Sequence, residues 1–336
     1  MNIQINKQVE LMCGLLQCSD YVKNIPIQCE DTGNEFRKNN IGFLSQFKDE
    51  KVFSLLNELI NDKSANFTWE APINIALHMD EHYNFFGHNS DTFVGKLHSN
   101  EKVLDFLDEL KKFAEKVDYS SFFKQHDKYF KHIIDEYKEK ISSHKTKVFE
   151  FMKKFYMFEP DERNFGYNLL LSVSWTSTGT QVGEKVFHST SLKQNKKKEW
   201  VFIHQNSIEE FISNILHEFS HPIINPMTDK QKISPSFVPD WSCICDKLGV
   251  GYAGYFTPYI NESLIRAIQI YFLEKVYNYP TDERILREER NGYFHTRELL
   301  KKLYELENID YENFEDKYID LINVFTKEID KDIILQ

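Results

Sequence analysis

Two histidines stand four residues apart in the stretch NILHEFSHPIINP, residues 214–226. On a helix, His217 and His221 would lie one turn apart on one face, so both imidazoles could share a metal ion. Glu218 directly follows the first histidine and sits where a general base could reach water held by that ion. The competing reading is a buried amphipathic helix that carries two hydrogen-bonded core histidines. The surrounding chain has to choose between them.

A catalytic metal takes three protein ligands and keeps a position for water, whereas a structural one usually takes four. A third ligand is expected downstream, and Glu262, in Asn261-Glu262-Ser263 at the opening of a later helix, is the best candidate. The other carboxylates in the interval are Asp229, Asp240 and Asp246, in segments that read as loops. The bland alternative for Glu262 is an i,i+4 ion pair with Arg266, which is common and worth little. A developing oxyanion would need a second electrophile. Tyr252, Tyr255 and Tyr259 in GVGYAGYFTPY, and Tyr293 and His295 in NGYFHTR, supply candidates, of which Tyr255, Tyr259 and His295 are retained as catalytic. A second histidine pair, His78 and His82, has Asp80 and Glu81 between its members but no third ligand in view.

These residues need elements to place them. Ser207 with Glu210 three positions on forms a capping box. Ile208, Phe211, Ile212, Ile215 and Leu216 then make one apolar stripe, so a helix is expected from Ser207 to about His221. Pro222 has no N–H for the carbonyl of Glu218 and disfavours helical geometry at His221, so the helix is expected to end or kink there. Asn225-Pro226 reads as a turn. Upstream, NLLLSVSWTST, EKVFHSTS and EWVFIHQ are short, β-branched and aromatic, which suggests an antiparallel meander with KQNKKK (193–198) as a solvated hairpin loop. Residues 1–150 repeat apolar positions at helical spacing in VFSLLNELIND, KVLDFLDELKKFAEKV and YFKHIIDEYKEKI. The chain after 259 is helical again. The expected class is α+β, predominantly helical, with a helical N-terminal region (1–150) and a domain over 151–336 holding a small antiparallel sheet before the motif helix and helices after it.

The bulk properties agree. A chain of 336 residues with 41% hydrophobic residues and 28 phenylalanines can bury a substantial core. A formal charge of -11 argues against nucleic-acid binding, which needs a basic footprint. No apolar run is long enough to cross a bilayer, so no membrane partner is expected. The start, MNIQINKQVELMCGLLQCSD, lacks a basic n-region and a small-residue cleavage site, so the chain as it stands reads as cytoplasmic, or as secreted if a leader has been removed. Cys13, Cys18, Cys29, Cys243 and Cys245 are too sparse for a disulfide scaffold and read as ordinary thiols.

HEFSH followed by Asn-Glu at the start of a later helix resembles the gluzincin class of zinc peptidases, typified by thermolysin. That resemblance implies a zincin-like fold, Zn2+ as cofactor, and metal ligation by His217, His221 and Glu262. In that class an aspartate four residues after the glutamate often orients the first histidine. Arg266 stands there instead, leaving Asn225, Asp240 or a backbone carbonyl to orient His217. QVELMCGLLQCSDY, KFAEKVDYSSFFKQHDKYF, HEFSHPIINP and YINESLIRAI resemble the uncharacterised bacterial family "domain of unknown function 4932", thought to be zincin-like. Asn225-Pro226 matches its Asn-Pro after HEFSH, and Pro222 replaces a usual serine. The expected function is a zinc-dependent metallopeptidase that hydrolyses peptide or protein substrates through a zinc-bound water activated by Glu218. The alternatives are a zincin-fold binding or scaffold protein with a structural or vestigial metal site, and a zinc hydrolase of non-peptide amides.

Overall fold

The computed structural model describes residues 2–24, 33–62, 65, 67, 71–87, 100–174, 178–194, 200–202, 207–239, 241–248 and 256–327. The chain forms two compact units, Met1–Lys140 with Arg163–His204, and Ile141–Glu162 with Gln205–Gln336. The architecture is α+β and predominantly helical, with one small sheet. Among the described residues, no helix is long and apolar enough to cross a membrane.

The first unit holds helices α1 (Lys7–Gln17), α2 (Tyr21–Asn24), α3 (Glu35–Leu44), α4 (Lys51–Asn61), α5 (Ala71–Leu77), α6 (Glu101–Lys116) and α7 (Tyr119–Lys124), and the first part of α8 (Asp127–Tyr156). It also holds the five strands found among the described residues: β1 (Asn2–Gln4), β2 (Phe165–Leu170), β3 (Thr178–Val182), β4 (Lys185–Gln194) and β5 (Trp200–Phe202). The order is β1-β2-β4-β3, with β5 on the far stretch of β4. The sheet is mixed, which corrects the expected antiparallel meander: β3–β4 and β4–β5 are antiparallel, but β2 runs parallel to both β1 and β4. The reason is that β1 and β2 pair across nearly half the chain, a contact that local alternation does not encode. β2 is buried at every position, as a strand with parallel neighbours on both edges should be. Gly166 in β2 faces the Phe187 ring, which a Cβ there would meet at 2.8 Å. The strands expected within 151–336 thus pack with the N-terminal helices, and residue 150 falls inside α8.

A polar network fastens α1 to the chain after β2. Leu171 N–H donates to Glu10 Oε1 at 2.7 Å, and Ser172 donates to Oε2 through N–H and Oγ at 3.1 and 2.6 Å. Asn40 donates to Ser172 Oγ at 2.9 Å and receives the Tyr119 hydroxyl at 3.0 Å. Burial pushes the Glu10 carboxyl up to about 7, against the pull of these donors. His78 and His82 do not form a helical pair, because α5 ends at Leu77. His78 Nδ1 bonds the Asn74 carbonyl at 2.8 Å, and His82 follows in a turn capped by Asp80.

The second unit holds the rest of α8 and helices α9 (Ile208–Gln231), α10 (Trp241–Leu248), α11 (Phe256–Tyr277), α12 (Asp282–Arg290), α13 (Thr296–Glu305) and α14 (Phe314–Ile322). α11 is buried almost all round, from Phe256 and Ile260 through Leu264, Ile265 and Ile268 to Phe272, so it is the central helix. α9 lays Phe211, Ile212, Ile215, Leu216 and Phe219 into the core beside it.

The raised Glu10 value fixes a sign. A carboxyl whose folded pKa exceeds its unfolded 4.5 adds stability that is complete below 4.5 and lost as pH rises through about 7. Glu10 alone therefore lowers the unfolding free energy of its unit by about 2–3 kcal/mol between pH 5 and pH 8. Urea titrations at the two pH values should show the lower midpoint at pH 8, and a Glu10→Leu variant should flatten that difference.

Candidate metal centre

The motif helix begins as expected: Glu210 N–H donates to Ser207 Oγ at 3.2 Å. It does not stop at Pro222. α9 continues to Gln231 with Pro222 and Pro226 inside it, which corrects the expected break and the Asn225-Pro226 turn. Each proline costs one intrahelical bond. Burial of Ile224 and Thr228 beyond the first proline, and the bonds that Thr228 makes, hold the chain helical. The continuation matters for chemistry, because it puts Asn225 one turn past His221. Asn225 Oδ1 lies 3.3 Å from His221 Nδ1. An amide oxygen only accepts, so Nδ1 carries the hydrogen, and in the neutral ring Nε2 keeps its lone pair.

Two sets of polar contacts fix α9 against α11. At one end Gln269 donates to Ser213 Oγ at 3.0 Å and to Asn214 Oδ1 at 2.5 Å. At the other, Thr228 Oγ1 donates to Asn261 Oδ1 and receives the Tyr318 hydroxyl at 2.7 Å. The helices therefore run in opposite directions, and their register brings Glu262 opposite the two histidines. Tyr156 adds a third tie through its hydroxyl to Ser220 Oγ, at 2.5 Å.

The three donor atoms converge. His217 Nε2 and His221 Nε2 are 3.2 Å apart. Glu262 Oε1 lies 3.3 Å from His221 Nε2, and Oε2 lies 3.6 Å from His217 Nε2. Atoms bound to one tetrahedral zinc at about 2.0–2.1 Å stand about 3.3–3.4 Å from each other. The observed spacing fits that set, and two imidazole nitrogens and one carboxylate are zinc donors by type. Glu218, buried, offers an oxygen within 4.8 Å of the donor atoms of His217 and His221. The three donors are 12%, 24% and 16% exposed for His217, His221 and Glu262, so the cluster opens to solvent on one side.

Electrostatics tie the donors together. Burial lowers the His221 pKa, but the Glu262 carboxylate beside it, with Glu218 and Asn225, raises it to about 9. Burial works on Glu262 in the other direction, raising it, and the charges of His217 and Arg266 with the hydrogen bonds from both histidines hold it well below the usual carboxylate range. Glu262 is thus anionic at neutral pH and poised against positive charge.

The remaining sequence candidates are not among the converging donors where the structure describes them. Tyr259, one turn before it on α11, is fully buried, and its hydroxyl is 2.8 Å from His295 Nδ1. Tyr259 stacks on Tyr293 with ring centroids 6.2 Å apart, and the Arg266 guanidinium lies 4.3 Å over the Tyr293 ring. Asp229 is exposed in the last turns of α9. Tyr252, Tyr255, Asp240 and the glycine-rich stretch 249–254 lie outside the described residues, as does the Asp246 side chain. Asn225 was expected among the partners of His217, and it meets His221 instead. Sequence reasoning missed Glu288, which bonds Arg266 from α12, and the Gln269 and Thr228 ties. All three are contacts between helices, with no local spacing to announce them.

Residues 1–329 match the family described as "Domain of unknown function (DUF4932)". The chain belongs to that family. No curated protein and no solved structure matches it. Among the described residues of this DUF4932 chain, His217, Glu218 and His221 are the group able to hold a metal ion, joined by Glu262 from α11.

The donor set predicts one divalent ion per chain. Mass spectrometry of the purified protein should find it in wild type and not in His221→Ala or Glu262→Ala. Asn225→Ala should weaken binding by about 10–100-fold, the usual cost of losing the partner that orients a ligating histidine. Competition with a chelator reads that change.

Proposed function

We propose that this DUF4932 chain is a zinc-dependent metallopeptidase of gluzincin type. The observation that carries the reading is the convergence of His217, His221 and Glu262 at 3.2–3.6 Å, with Glu218 beside them. The ligand order supports it too: HEFSH on one helix, then a glutamate from a later helix, resembles the gluzincin pattern. His217, His221 and Glu262 would hold Zn2+. Zinc in such a site supplies a Lewis acid that makes water acidic near neutral pH and polarises a carbonyl oxygen.

The chain's own residues account for the proton. Glu218 takes one proton from the attacking water as its oxygen bonds the scissile carbonyl carbon. The same carboxyl then delivers that proton to the amide nitrogen as the C–N bond breaks, so acid and amine leave with no net proton change. Its place directly beside the two imidazoles on α9 favours this role. Asn225 fixes the ring of His221. Tyr259 and His295 form a buried hydrogen-bonded pair, and Tyr255 is kept as a candidate for the electrophile that meets the oxyanion. The substrate is a peptide or protein segment, bound on the open side of the cluster.

Glu218→Gln separates chemistry from ligation. It should keep zinc at full occupancy and lose about 10²–10⁴-fold in cleavage of a quenched fluorescent peptide library, the usual range for a general base. An unchanged rate in Glu218→Gln would contradict the assignment. Zinc-loaded wild type that cleaves no peptide but hydrolyses small amides would replace the peptidase reading with an amidase.

A further inference from the structure

Arg266 occupies the position at which the resemblance to gluzincins implies an aspartate. It grips the carboxylate of Glu262. Arg266 Nε donates to Glu262 Oε2 at 3.1 Å, and Nη2 lies 3.1 Å from the same oxygen. Oε1, the other oxygen, is the one 3.3 Å from His221 Nε2. Oε2 therefore takes both guanidinium contacts and stands farther off, 3.6 Å, from His217 Nε2, while Oε1 has no contact with the guanidinium among those described and faces His221.

An ordinary i,i+4 pair on a helix surface would be free to separate. This one is not. Arg266 Nη1 donates to Glu288 Oε2 at 2.9 Å. Glu288 is 2% exposed and has Arg284 and Arg287 within 3.9 Å of its Oε1. The guanidinium plane also lies over Tyr293. Two contacts from outside α11, Glu288 and Tyr293, hold Arg266, so it meets Glu262 as a preorganised fork.

We propose that Arg266 is a positioning residue that reserves one oxygen of Glu262, leaves a single oxygen for the metal, and so keeps a coordination position open for water. The proposal rests on the metal centre proposed above. Two consequences follow. A carboxylate without this clamp can turn both oxygens to a metal, which with two imidazoles and a water makes five donors in place of four and crowds the water position. The guanidinium also draws charge from the ligand, which leaves a bound ion more electrophilic, the reverse of a carboxylate partner that raises ligand basicity.

Cobalt reads this directly, because Co2+ absorbs visible light strongly when four-coordinate and weakly when five-coordinate. Wild type, Arg266→Met, Arg266→Lys, Glu288→Gln and Glu262→Ala would be loaded with Co2+ alone, with occupancy measured for each. The expected result is intense bands in wild type and a severalfold loss of intensity in Arg266→Met at equal occupancy. Arg266→Lys should recover part of it. Glu288→Gln, which loosens the clamp without touching Glu262, should move the spectrum the same way and serves if Arg266→Met does not fold. Spectra in Arg266→Met and Glu288→Gln that match wild type would overturn the proposal. So would an Arg266→Met spectrum and affinity matching Glu262→Ala, since the arginine would then only hold the carboxylate in place. No cobalt in wild type would overturn the metal centre itself, and this inference with it.

Discussion

The structure of the second unit turns on one constraint: two imidazoles and a carboxylate must be held at mutual distances of 3.2–3.6 Å in a partly buried place. Left to themselves these groups would not stay there. Bare imidazole nitrogens repel at such range, and an isolated buried carboxylate is costly. The fold meets the cost by pinning α9 to α11 on both sides of the cluster, through Gln269 at one end and Thr228 and Asn261 at the other. Arg266 and Glu288 then fix the carboxylate from behind. The same convergence raises the His221 pKa and holds Glu262 below the usual carboxylate range.

How much of this was legible in the sequence depends on whether each interaction was local. The start of α9 was readable, since Ser207, Glu210 and the apolar stripe act within one helix. The one-turn spacing of His217 and His221 was readable for the same reason. The pairing of Glu262 with Arg266 was readable as an i,i+4 pair, and it turned out to coexist with the approach of Glu262 to both histidines rather than compete with it.

The failures share a cause. Pro222 broke the expected helix on local grounds, but packing of Ile224 and Thr228 outweighs one lost backbone bond per proline. The parallel pairing of β1 with β2 joins the start of the chain to residues 166–168, and nothing in either strand announces the other. Glu288 belongs to a helix whose charged sequence, DERILREER, reads as a solvated surface. Its burial follows from the guanidinium it meets on α11. The order of helices could be read, but their mutual register could not, and the metal centre is a product of register.

The most direct test of the account is X-ray absorption at the zinc edge on the zinc-loaded protein. The account predicts about four light donors at roughly 2.0–2.1 Å, with outer-shell scattering from two imidazole rings and no sulfur. A thiolate shell near 2.3 Å, or a shell of oxygen alone with no imidazole scattering, would contradict it, because the ion would then sit elsewhere than between His217, His221 and Glu262.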